Sequence, residues 1–163
     1  MFIDRPTYPI DFKFPDIDLQ TIAAYIRNEV NITFSTALGG KSAISSYTVD
    51  NTNKLPLGTN IYPLLKIFRN EESTLFPIGA GDVVSLTIAY VLAYSAKDTA
   101  SGLTFHVAKE IKRILQNSEV DDNIPFTIDK EQGITIKYES ATTTDLIYDY
   151  AKINCAVFAY WYN

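Results

Sequence analysis

The hydrophobic positions along this chain change period several times, and each change marks an element. Tyr8, Ile10, Phe12 and Phe14 alternate with Pro9, Asp11, Lys13 and Pro15. A period of two signals extended chain, and Pro6, Pro9 and Pro15 exclude a helix and disfavour a central strand. Residues 1–15 therefore read as an arm with one apolar side, which needs cover from its own domain or from a neighbour. Leu19, Ile22, Ala23, Ile26 and Val30 then fall at helical spacing behind Asp16 or Asp18, either of which can cap. This predicts a helix over 16–30. Residues 31–36, NITFST, read as a short strand. Residues 37–60 are rich in Gly, Ser, Thr and Asn and read as a long loop with one short strand from Ile44 to Val49.

Residues 61–69 read as a strand with Pro63 at an edge or entry position, followed by a turn region over 70–81. Residues 82–95 alternate cleanly. Val84, Leu86, Ile88, Tyr90, Leu92 and Tyr94 take one face, and the smaller set from Val83 to Ala93 takes the other. The smaller face is expected to lie under a helix. That helix is predicted over 98–116, capped by Asp98 or Thr99, striped by Leu103, Val107, Ile111, Ile114 and Leu115, and stopped at Asn117. An acidic loop over 118–132 and a short strand through Ile134, Ile136 and Tyr138 follow. The last strand, 146–162, becomes apolar on both faces toward its end, as in an interior strand or one covered by a partner. The order predicts an α+β fold. A mostly antiparallel sheet carries two main helices on one face, in one domain over 16–163 behind the arm.

Composition narrows the function. Hydrophobic residues make up 47% and charged residues 20% of 163 residues, so the chain can bury a core. A formal net charge of −5 argues against a nucleic-acid binder, which needs a basic face to offset phosphate. The densest basic group, Lys109, Lys112 and Arg113, sits where a helix should end, which its dipole explains. One Cys and one His exclude an intrachain disulfide and a Cys/His zinc cluster. The start of the sequence has no basic and apolar leader pattern, and no apolar run is long enough for a membrane helix, so neither is expected. The 13% aromatic content, with 11 Tyr, suits surfaces that become buried on assembly as well as it suits a sheet core.

Candidate chemistry is sparse. Gly40-Lys41-Ser42 would end a phosphate-binding loop only with glycine at position 35, which is Ser35. Gly79-Ala80-Gly81 precedes a strand and not a helix, so it reads as a turn. The carboxylate pairs Glu71/Glu72 and Asp121/Asp122 lie in polar stretches where solvated charge is the default, and Asn31-Ile32-Thr33 is a sequon without a secretion signal. His106 is expected beside the helix stripe, half-buried and hydrogen-bonded, and Cys155 in an apolar strand. No catalytic, metal or cofactor residues are assigned.

One succession is informative beyond period. Ile61-Tyr62-Pro63-Leu64-Leu65-Lys66-Ile67-Phe68-Arg69 precedes a long alternating strand. A helix from Leu103 to Leu115 follows, and the chain ends in Phe158-Ala159-Tyr160-Trp161. This resembles tailed-phage tail terminator proteins, a group that includes tail-completion and neck subunits, over roughly residues 17–162. The resemblance implies an α+β subunit of a homo-oligomeric ring, commonly a hexamer, located in the virion after assembly in the host cytoplasm. Such a ring caps the tail tube and docks neck or connector proteins, with no enzyme activity, cofactor or membrane contact. An acidic balance suits a channel that passes DNA without gripping it. The expected subunit contacts are Tyr8, Ile10, Phe12 and Phe14 in the arm, Leu38, Ile44 and Tyr47 in the loop, and Phe158, Tyr160 and Tyr162 at the close. The alternatives are a head–tail connector or stopper subunit, and a small monomeric enzyme or ligand-binding domain with a polar pocket near His106.

Overall fold

The computed structural model describes residues 17–49, 54, 61–74, 81–95, 102–119 and 124–159. The arm, most of 50–60, Tyr160 and Tyr162 lie outside these residues. Helix α1 runs Leu19–Phe34. Asp18, in extended backbone, starts it by accepting the Gln20 and Thr21 N–H groups at 3.0 and 3.2 Å and the Thr21 hydroxyl at 2.6 Å. The Thr21 hydroxyl is the main cause that holds the Asp18 carboxyl below its usual range. Residues 31–34 are the last turn of this helix and not the start of a strand, which corrects the sequence expectation. The Thr33 hydroxyl returns to the Glu29 carbonyl at 3.1 Å, Asn31 reaches across to Ile44, and Phe34 packs on the core. Those contacts outweigh the β preference of Ile32 and Thr33. The chain leaves the helix through turns ending at Gly39 and Gly40, whose φ values of +60° and +85° favour glycine.

The strands are β1 Ser46–Val49, β2 Leu64–Thr74, β3 Asp82–Ser95, β4 Thr135–Thr142 and β5 Leu146–Ala159, with helix α2 at Leu103–Gln116 between β3 and β4. They form one sheet in the order β1-β2-β3-β5-β4, parallel between β1 and β2 and antiparallel elsewhere. Several boundaries differ from expectation, most of all in β2 and α2. β2 continues through a register shift between Arg69 and Glu71 to Thr74, where a turn was expected. α2 begins at Leu103 and not near Asp98; its N-cap is Gly102, with φ +73° and no side-chain bond, while Asn117 ends it as expected. β5 is interior, paired with β3 on one side and β4 on the other. Where β4 falls short, the preceding segment takes its place. Asp129 N–H donates to Ala156 O at 2.8 Å, and Phe158 N–H donates to Thr127 O at 2.9 Å. The expected acidic loop thus contributes Phe126 and Ile128 to the core.

The fold is α+β with a mostly antiparallel sheet and both helices on one face, as the pattern predicted. The face assignment of β3 is reversed. Val84, Leu86, Ile88 and Tyr90, the larger set, pack with Ile22, Ile26, Val107 and Ile111 from the helices. The two rounded helices leave space over the sheet centre that alanine and serine cannot fill at protein density. Tyr90, fully buried, fits there because its hydroxyl donates to Ala43 O at 2.9 Å.

Candidate assembly surface

The expected contact residues divide into those the core has taken and those it has left. Ile44 is fully buried. Its N–H donates to Asn31 Oδ1 at 2.8 Å, and its carbonyl accepts from Asn31 Nδ2 at 3.0 Å and Arg27 Nε at 3.4 Å. Its side chain is committed to its own core and is not available to a neighbour. Leu38 and Tyr47 are half-buried against the same core, and Tyr47 also lies under the Arg27 guanidinium, 5.8 Å from its ring centroid. The first part of the expected contact loop is therefore fastened to α1. Phe158 is half-buried and lines a groove with Ile17, Ile22, Ile124, Pro125 and Phe126 at the end where α1 begins and β5 finishes.

A different exposed surface was missed by sequence reasoning. Phe105 and Tyr138 are 49% and 44% exposed, with ring centroids 5.8 Å apart. The His106 ring stands edge-on to Phe105 at 5.6 Å, and Lys109 Nζ lies 5.4 Å from the Phe105 centroid. His106 is exposed, contrary to the half-buried placement expected. The one available signal was that Phe105 stands off the stripe of its amphipathic helix. The adjoining cleft is lined by Gly102, Thr104, Phe105, Tyr138, Asp149 and Tyr150 among others, and His106 is not part of it. The Thr104 hydroxyl is buried and has no hydrogen-bond partner among the described residues.

This aromatic patch flanks the edge of β4. The outer side of β4 is paired with no strand among the described residues. Thr143 N–H donates to Leu146 O at 2.9 Å in the β4–β5 register. Alternation from that bond turns the backbone groups of Thr135, Lys137, Glu139 and Ala141 toward β5. Those of Ile136, Tyr138, Ser140 and Thr142 face outward. On the face away from the helices, Glu139 bridges Lys137 at 2.9 Å and Lys152 at 3.8 Å. Lys137 is the main cause that lowers the Glu139 carboxyl, and the Glu139 bond raises the Tyr150 hydroxyl. Among the described residues no group of His, Cys, Asp and Glu could hold a metal, and no helix is long and apolar enough to cross a membrane. Compared with known proteins, the chain matches no family model and none of the curated proteins.

Proposed function

We propose that this chain is a structural subunit of a phage tail or neck, with the tail terminator as its specific role. In that role a ring of identical copies caps the tail tube and offers a docking surface to neck proteins, while DNA passes through without being gripped. The reading rests on the resemblance carried by Ile61 to Arg69, the helix from Leu103 to Leu115 and the aromatic close. The observation that supports it most is the β4 edge, unpaired among the described residues, beside exposed Phe105 and Tyr138. Monomeric proteins usually blunt a strand edge of this length, and leaving it open beside aromatics suits pairing with another chain. The connector or stopper reading uses the same surface. The cleft beside Phe105, with a Thr104 hydroxyl that has no partner among the described residues, favours the ligand-binding alternative.

The test is light scattering on the full-length chain together with antibody labelling of purified tails. A ring-sized species and label at the head-proximal tail end support the proposal. A strictly monomeric chain that is also missing from purified particles sinks it.

A further inference from the structure

We propose that the β4 edge receives residues 8–14 of a second copy as an added antiparallel strand; this rests on the assembly reading above and specifies its contact. Three parities agree. In a strand, alternate residues turn their backbone groups to alternate edges. Pro9 and Pro15 share one parity with Asp11 and Lys13, so that edge of the arm keeps only the Asp11 and Lys13 N–H groups. Tyr8, Ile10, Phe12 and Phe14 share the other parity, keep every N–H, and are also the apolar side. The arm can therefore pair fully along one edge and is a poorer partner at the other, where prolines and charges sit, as suits an outermost strand.

The outward backbone groups of β4 belong to Ile136, Tyr138, Ser140 and Thr142, which lie on the helix side of the sheet with the exposed Phe105–Tyr138 pair. In antiparallel pairing, directly opposed residues share both an edge and a face. The arm's complete donors then meet the outward groups of β4, and its apolar side chains fall on the aromatic patch. A parallel approach would place those side chains on the charged row of Lys137 and Glu139.

Charge narrows the register. Setting Asp11 opposite Lys137, whose side chain is 71% exposed, places Ile10 beside Tyr138 and Phe12 beside Ile136. Sliding the arm by two residues sets Asp11 against Glu139 and Lys13 against Lys137, two like-charge pairs. Each copy then carries one donor strand and one acceptor edge. Such a head-to-tail contact closes a ring when the rotation allows it.

The test uses full-length chains in native mass spectrometry. Ile10→Pro with Phe12→Pro removes donors from the arm, and Tyr138→Pro removes one from the edge. Each variant alone should be monomeric. Their equimolar mixture should give one-to-one heterodimers, because one supplies an intact edge and the other an intact arm. Asp11→Lys should weaken wild-type assembly about fivefold at low salt, and adding Lys137→Asp in the same chain should restore it. Lys137 is exposed and the swap adds no proline, so this pair carries the test if a proline variant fails to fold. Oligomers that persist in the arm variant, or folded variants that form no heterodimer, overturn the strand exchange while leaving the assembly reading standing. A wild type that stays monomeric while the arm folds onto its own edge overturns the exchange in trans.

Discussion

Asn31→Ala is the most direct probe of how the fold holds the loop that follows α1. Asn31 contributes two hydrogen bonds to one buried residue, accepting the Ile44 N–H at 2.8 Å and donating to the Ile44 carbonyl at 3.0 Å. Truncation removes the Asn31 acceptor from that N–H. An unsatisfied buried group costs about 1–3 kcal/mol. The carbonyl keeps Arg27 Nε at 3.4 Å, a long bond, so its loss is smaller. If the segment lifts instead, Ile44 loses burial worth roughly 1.5–3 kcal/mol. Either route gives a destabilisation of about 1.5–3 kcal/mol. For a chain of this size that is several degrees in Tm. Asn31→Asp keeps the acceptor and loses the donor, so it should fall between wild type and Asn31→Ala. Urea denaturation followed by circular dichroism reads all three. A loss below about 0.5 kcal/mol for Asn31→Ala would show that Asn31 does not anchor the loop, and equal losses for both variants would show that the Ile44 N–H is not the group at stake.

Two further outcomes follow from buried groups. Tyr90→Phe removes the hydroxyl that donates to Ala43 O at 2.9 Å and should cost about 1–2 kcal/mol by denaturant midpoint, with an unchanged slope. Burial pushes the Cys155 thiol up to about 12. A folded-state value above the unfolded one, about 8.5, gives stability that is complete below pH 8.5 and lost as pH rises toward 12. Unfolding free energy should therefore drop by roughly 2 kcal/mol from pH 8 to pH 10. Cys155→Val should remove most of that slope, and an equal slope in both proteins would refute the assignment.

Much of the sheet was legible because alternation is a local property. β3 begins and ends where the pattern placed it, and β5 carries Ile153, Cys155, Val157 and Ala159 on one face as read. What escaped was set by contacts distant in sequence. Residues 31–34 look like a strand locally, yet Asn31 is drawn to Ile44 and Thr33 to Glu110 Oε1 at 2.9 Å, which continues the helix. Phe126 and Ile128 sit in a polar stretch that gains strand-like pairing only because β4 stops short of the end of β5. Of the expected contact residues, Ile44 has no local sign of its anchoring, since Asn31 lies just past the helix end that the pattern predicts and the contact spans 13 residues.

The reversed face of β3 bears on where assembly can occur. Small residues at Ala89 and Val91 suggested close cover by a helix, but both are fully buried on the opposite face, with Leu64, Lys66 and Phe68 of β2. The Lys66 ammonium there donates to the Lys54 carbonyl, and Thr87 links Asn70 and Asn154 at 2.7 Å each. Lys66 and Thr87 are buried with their polar atoms satisfied, so they gain little from a partner. The helix face is closed by α1 and α2. With both faces of the central strands buried, a neighbouring copy in the proposed assembly would meet this sheet at its edges. β1 offers four half-buried residues, whereas β4 offers eight, mostly exposed, beside two solvent-facing rings. Edge pairing at β4 therefore needs no rearrangement of the core, which separates it from contacts through the loop at Ile44.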